Sequence, residues 1–438
     1  MAVGLGQAGG NLAAELANRG YKALAFNTAS TDLSTLSSLG GLSLPDEQRC
    51  YIGVDGHDGA GSDATYGRQC IAVNAATIRE RVSEIANGAD IVLICCGLGG
   101  GTGSAVAELV KVLDDLSLPL LVLATLPSDH ESGIAKVNAV RAVNELVKEH
   151  ALGWIFVDNA RLAEGHGDLS LDRYYTEINK LIVEPFDALN HLNERKGVTP
   201  IRTLDGEDLR ALLLSSGLLN FDSRQMARLT TESVIGAVRE CVQFSNIMPQ
   251  GYALESVSYL GLVLEAPESV LAGTPFSFFE QLSEQLKEET GGGAIYLGVY
   301  RDNSATTATV RLICSTQTLP EGMREMVSAA KREGAQLRDK LQQTLSGLDL
   351  GEIEEYELFR TSPGAVRRPR IPEQPAGGAS RRTMRPSVAP SADRSPSGAV
   401  SIAPPGSAAD RETYDQMVRE YKNSGSEDVR KRVLDRLE

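Results

Sequence analysis

Ile94-Cys95-Cys96-Gly97-Leu98-Gly99-Gly100-Gly101-Thr102-Gly103-Ser104-Ala105 is the stretch on which the fold turns. The residues just before it, Ala89-Asp90-Ile91-Val92-Leu93-Ile94, are a short apolar run of the kind that forms a buried strand. After it, Ala107, Val110, Val112 and Leu113 recur at helical spacing, so a helix is expected from about Thr102. A strand that passes through such glycines into a helix N-terminus is a phosphate cradle. Glycine lets the backbone turn tightly and approach a ligand, and the first helical N–H groups and the dipole favour an anion. The bland alternative is a flexible loop, which the placement directly between strand and helix argues against.

No Gly-Lys-Ser/Thr follows, so this is not a Walker loop. The order Gly99-Gly100-Gly101-Thr102-Gly103-Ser104 instead resembles the signature of the tubulin/FtsZ superfamily of GTP-dependent filament proteins, with Ala105 where the family usually has glycine.

Working outward, the chain opens on Gly4-Leu5-Gly6-Gln7-Ala8-Gly9-Gly10-Asn11 and runs into a helix with Leu12, Ala13, Leu16 and Ala17 apolar. Taken alone this is G-x-G-x-x-G, the dinucleotide fingerprint. That reading requires an acid at the end of the second strand, to hold a ribose. The strand Ala23-Leu24-Ala25-Phe26 ends instead in Asn27-Thr28-Ala29-Ser30-Thr31-Asp32, so an NAD-dependent oxidoreductase is the weaker alternative. The wording of the loop is similar to the first nucleotide loop of tubulins and TubZ-type proteins. Met1 leads straight into the end of a strand, so that strand is very short or the true start lies upstream.

Tyr51–Val54 reads as a strand, and a single long helix is expected over 64–86. Pro119–Leu126 and Trp154–Val157 are further buried strands. The regular alternation of strand and helix means an α/β, doubly wound parallel sheet with its ligand at the carboxyl ends of the strands. A long helix over 171–192, apolar on both sides, reads as a central helix between two domains. The region 226–350 mixes strands and helices, as an α+β unit. The expected organisation is a nucleotide-binding domain at 1–170, the central helix at 171–195 and a linking region at 196–225. The C-terminal α+β domain (226–350), a linker (362–409) and a terminal peptide (410–438) follow.

The resemblance implies nucleotide contacts from Gly6, Gln7, Ala8, Gly9, Gly10 and Asn11, from Asn27, and from Gly59, Ala60 and Gly61, the loop that senses the terminal phosphate. It implies others from Gly99, Gly100, Gly101, Thr102, Gly103 and Ser104. Glu131 would touch the ribose, with Lys136 as the nearby basic residue. Asn159 would read guanine, and Tyr175 and Asn179 would stack on and bond the base; each alone could equally be a capping or surface residue. In FtsZ-type proteins, Asn-x-Asp-x-x-Asp forms a loop that enters the nucleotide site of the next subunit. Asn220, Asp222 and Gln225 match it here, with Gln225 replacing the second acid. A glutamine orients water without acting as base, so slow, polymerisation-dependent GTP hydrolysis is expected, and a non-hydrolysing nucleotide-binding scaffold is the alternative. Asp222 as a helix N-cap is compatible with either. GTP/GDP with accompanying Mg2+ are the implied cofactors.

The 438 residues carry a net charge of −15, which argues against non-specific nucleic-acid binding by the body. Six cysteines without a Cys-x-x-Cys pair fit a reduced cytoplasm. No apolar run reaches membrane-span length. Residues 362–405 carry seven arginines against Glu373 and Asp393, a composition that cannot bury a core. That stretch is a solvated tether or an electrostatic attachment to DNA, a membrane or the filament itself. The amphipathic 410–438 would dock an adaptor. The expected partners are therefore copies of the same chain, head to tail, and an adaptor protein, DNA or membrane factor at the tail. The expected role is DNA or plasmid segregation, or cell division.

Overall fold

The computed structural model describes residues 1–347 apart from 37–42, 55, 150 and 152; the expected linker and terminal peptide lie outside the described residues. One half is built of parallel strands alternating with helices. These are β1 (Ala2–Leu5), α1 (Gly6–Asn18), β2 (Ala23–Asn27), α2 (Ser30–Thr35), β3 (Arg49–Tyr51), α3 (Ala64–Val73), α4 (Ala75–Ala86) and β4 (Val92–Gly97). Then come α5 (Val106–Asp114), β5 (Leu120–Leu126), α6 (Gly133–Leu146), β6 (Gly153–Asp158) and α7 (Asn159–His166). The other half follows the long α8 (Leu171–Asn190). It comprises β7 (Val198–Arg202), α9 (Gly206–Leu213), β8 (Leu218–Met226), α10 (Thr231–Gln243), β9 (Val257–Ala266), α11 (Glu268–Leu271), α12 (Phe276–Glu289), β10 (Ala294–Asp302), β11 (Ala308–Thr316) and α13 (Glu321–Gly347).

The eleven strands of the described residues join one sheet in the order β3-β2-β1-β4-β5-β6-β8-β11-β9-β10-β7. The first six are parallel, whereas β11 runs antiparallel to both neighbours. The two halves meet where β6 and β8 share a single register pair, Trp154 with Leu218. Strands β1, β4 and β5 are buried along nearly their whole length, as a sheet covered on both faces requires.

Glycine lets α1 sit directly on the sheet. A Cβ on Gly9 would lie 2.1 Å from the Cys95 carbonyl oxygen. Gly9→Ala is therefore expected to cost about 3 kcal/mol, the upper part of the range for an overpacked core, measured as a loss of denaturation free energy.

Three expectations are corrected. The helix expected over 64–86 is two helices, because the Asn74 side chain donates to the carbonyls of Cys70 (2.8 Å) and Ile52 (3.1 Å) and interrupts the run. The strand expected at 51–54 lies at Arg49–Tyr51. The third is the largest: residues 218–226, expected to hold a catalytic loop or a helix cap, are the interior strand β8, paired along its length with β11.

Helix α8 is buried on two sides. Its Ile178, Ile182, Val183 and Leu189 are core residues, and Phe186 meets Tyr21 of the α1–β2 turn and Phe221 of β8, each at 6.1 Å between ring centroids. Pro185 within it removes one backbone donor from the ladder. Helix α13 returns from the second half to pack along α6.

Candidate nucleotide site

The carboxyl ends of β1, β2, β4 and β5 open on a cavity of about 450 Å³. Its floor is the loop that leaves β4. A Cβ on Gly103 would lie 2.2 Å from the Gly97 oxygen, so the loop closes on itself only with glycine there. The Ser104 hydroxyl braces the turn by donating to the carbonyls of Gly100 and Gly101. Gly6, at φ +72°, brings the first loop against Gly103. The Thr28 and Thr102 hydroxyls share a hydrogen bond of 2.7 Å, and Asn138 donates to the carbonyls of Ser62 (2.8 Å) and Gly99 (3.3 Å). Three glycine-bearing loops are thus held in one arrangement.

A second cavity of about 1030 Å³ adjoins the first, and Gln7, Ala8, Thr125, Glu131, Asn159 and Tyr175 line both. Of the residues anticipated from sequence, Gly6, Asn27, Gly59, Ala60, Gly61, Gly99, Gly100, Gly101, Thr102 and Gly103 line the first cavity only. Asn11 and Asn179 line the second only. Three lie behind the wall: Gly9 and Gly10 pack α1 on the sheet and against Leu36, and Ser104 is the brace.

The charge balance is informative. Among the described lining residues there is no lysine or arginine; the charged groups are Asp32 and Glu131. Glu131 is fixed by the Ser128 N–H donating to Oε1 at 2.8 Å, with Oε2 beside Gly99. Asp32 accepts from Asn27 Nδ2 at 3.1 Å. Lys136, the basic residue anticipated for the sugar, is withdrawn: it is 5% exposed and paired with Glu333 of α13. Asp158 caps α7, accepting from the Ala160 N–H, and so sets the position of Asn159; burial raises its pKa. Burial also pushes the Cys95 thiol, under the cradle, up to about 12, so it stays protonated and inert.

Asn220, Asp222 and Gln225 are not part of this site. Asn220 is fully buried, and Asp222 is buried and bound to Arg224 at 2.8 Å, both within β8. A strand pinned between two others cannot enter a neighbouring molecule. Burial raises the Asp222 pKa from its usual 3.8, a shift that Arg224 only partly opposes. The folded state therefore binds this proton more tightly than the unfolded chain. Asp222 destabilises the fold fully above its raised pKa, and this cost disappears as pH falls toward 3.8. Asp222→Asn, which keeps an oxygen for Arg224, is expected to flatten the dependence of melting temperature on pH across that window.

The sequence reading passed over an acidic pair. In Thr203-Leu204-Asp205-Gly206-Glu207-Asp208-Leu209, the two aspartates have the Asp-x-x-Asp spacing and lie between β7 and α9, the first elements after the central helix. Asp205 caps α9 by accepting from the Asp208 N–H at 2.8 Å, and Asp208 returns the bond as a capping box. Asp205 is exposed and Asp208 half-buried. The Asn193 side chain, just past α8, donates to the Leu204 carbonyl at 3.0 Å and fixes this turn beside the far end of α8. Tyr175 and Asn179, at the cavity, belong to the first half of that helix, which at 20 residues is about 30 Å long. Cavity and acidic pair thus occupy opposite ends of one rigid element.

A doubly wound parallel sheet with a glycine cradle over its carboxyl edge, coupled by a central helix to a mixed domain, defines the class. Residues 1–166 match the Tubulin/FtsZ family GTPase domain, and residues 199–327 match the C-terminal domain of the TubZ-like proteins. The chain belongs to the tubulin/FtsZ superfamily, whose members are filament-forming cytoskeletal GTPases. It is 27% identical to the tubulin-like protein CetZ of Pyrococcus abyssi over 82% of this chain and 95% of that one. It is 26% identical to the tubulin-like protein TubZ of Bacillus cereus over 66% and 71%. Among solved structures, the GDP-bound monomer of CetZ1 from Haloferax volcanii superposes with a TM-score of 0.61 at 25% identity, covering 76% of this chain and 98% of that one. A GTPγS-form protofilament of TubZ from Bacillus thuringiensis serovar israelensis gives a TM-score of 0.63 at 18% identity, over 79% and 94%.

Proposed function

We propose that this protein binds GTP in the paired cavities and polymerises head to tail. Asp205 and Asp208 of one subunit then complete the hydrolytic site of the next. The observation that carries this reading is the separation of cradle and acids along α8, since one molecule cannot bring them together.

The triphosphate lies on the glycine loops, whose backbone N–H groups supply the positive potential that no side chain supplies. The base and ribose occupy the larger cavity between Tyr175, Asn179, Asn159 and Glu131. Magnesium needs few protein ligands when phosphate oxygens and water fill its shell. Asp32 fits it, because a lone carboxylate at the phosphate end would otherwise repel the nucleotide. The bound ion would draw charge from the terminal phosphates. The incoming acids hold a water in line with the γ-phosphorus and accept its proton. An O–P bond forms to water as the bond to the β-phosphate oxygen breaks.

The similarity of the C-terminal domain to TubZ-like proteins, together with the wording of the first loop, supports a cytoplasmic filament used in DNA segregation before one used in division. No helix among the described residues is long and apolar enough to cross a membrane, so attachment to DNA, a membrane factor or an adaptor falls to the tail.

The test is phosphate release from GTP against protein concentration, with light scattering on the same samples. A rate per molecule that rises above a threshold along with scattering supports the shared site. Scattering with GTP but no phosphate establishes a non-hydrolysing scaffold instead. If neither appears, the filament reading fails.

A further inference from the structure

Helix α6 braces three loops of the nucleotide site without contributing a lining side chain. Its Asn138 ties the loops at 62 and 99 together, and its N-cap, Ser132, ends the 128–132 loop that carries Glu131. Lys136, one turn in, donates to the Asp129 carbonyl of that loop at 2.9 Å and to Glu333 Oε1 at 2.8 Å. The ammonium is 5% exposed as a residue, so these two acceptors replace most of its water. Glu333 lies on α13, close enough that a Cβ on Gly133 would meet the Glu333 Cβ at 3.0 Å. A carboxylate thus sits at the α6 N-terminus, where the helix dipole also favours it.

We propose that Lys136 and Glu333 are positioning residues for the sugar end of the site. The α13 carboxylate holds the lysine, the lysine holds the Asp129 carbonyl, and the loop so fixed aims Glu131 at the ribose hydroxyls. This rests on the nucleotide reading above. It assigns to α13, an element of the second half, a direct hold on how the first half recognises the sugar. Without Glu333 a buried ammonium loses its counter-charge and must turn to water, taking the Asp129 carbonyl with it. Without Lys136 the loop keeps the Ser132 cap and the Ser128–Glu131 turn but loses its tie to the α6 side chain.

The experiment compares the affinities of the full chain for GTP and for 2′,3′-dideoxy-GTP. The proteins are wild type, Glu333→Gln, Lys136→Met and Lys136→Arg, each checked by thermal melting. Wild type is expected to prefer GTP by about tenfold, the value of hydrogen bonds to a carboxylate. Glu333→Gln and Lys136→Met should lose most of that preference while still binding the dideoxy nucleotide as wild type does, and Lys136→Arg should recover it. Equal weakening for both nucleotides would mean that the pair only stabilises the fold and would overturn the proposal. So would an unchanged preference in the variants, no preference in wild type, or a Lys136→Arg protein that behaves like Lys136→Met. Failure of wild type to bind GTP at all would instead refute the nucleotide reading itself.

Discussion

Asp208→Asn is expected to slow GTP turnover by about 100-fold or more, the usual worth of a positioned acid–base group, while GTP affinity stays as in wild type. Asp205→Asn should do the same. An asparagine still caps α9, so its loss of activity cannot be assigned to a broken helix. Filaments of either variant should persist in GTP long after wild-type filaments have disassembled, because nucleotide exchange and assembly do not need the acids. Asp222→Asn is the control: its side chain lies inside β8, so turnover should stay within about twofold, the small effect expected away from the reacting atoms. Turnover assays with pelleting at each time point check all three. Loss of activity in Asp222→Asn with retention in Asp208→Asn would show that the acidic pair has been assigned to the wrong place. A mixing experiment sharpens the result. A variant with an intact acidic pair but a ruined cradle should restore some turnover to Asp208→Asn protein, since each supplies the half the other lacks.

Gly100→Ala is expected to weaken nucleotide binding tenfold or more, the cost of about one misplaced methyl group in a fitted pocket, with no loss of thermal stability. Its added Cβ meets no protein atom within 4 Å, yet the residue lines the cavity. The methyl group therefore takes space a phosphate needs without disturbing the fold. Gly103→Ala should behave differently. Its Cβ would lie 2.2 Å from the Gly97 oxygen, so the cradle must open, and both affinity and melting temperature should fall. Isothermal titration paired with melting curves separates the two cases. Equal loss of stability in both variants would mean that the loop is packed rather than open at Gly100.

Residues 99–103 and 6–8 were legible because the chemistry of a cradle is local. Glycine, a strand before and a helix after are enough to place it, and the cavity gathers them. The acidic pair was missed because Asn220-x-Asp222 matches the letters of the family's loop more closely than Asp205-x-x-Asp208 does. What decides against 220–222 is pairing with residues 308–316, a contact nearly a hundred positions away that no local window contains. One signal was available: Asn220, Asp222 and Arg224 alternate with Leu219, Phe221 and Ser223, a period of two that suits a strand better than a loop. Lys136 was misread for the same reason, its partner being Glu333 on a helix from the other half. Asp32 was visible in the run after the second strand but was given no role there. It lines the cavity from the first turn of α2.

The join between β6 and β8 gives the molecule a line of mechanical weakness. Six register pairs bind β4 to β5 and nine bind β8 to β11, but one binds β6 to β8. Shear along that line would break very few ladder hydrogen bonds, each worth about 1 kcal/mol net, whereas a parallel cut elsewhere near the middle of the sheet would break several. The compliance of each subunit is therefore concentrated at one internal seam, with two long helices, α8 and α13, bracing the halves on either side of it. Bending of a chain of such subunits would be taken up inside each one, as well as at the joints between them.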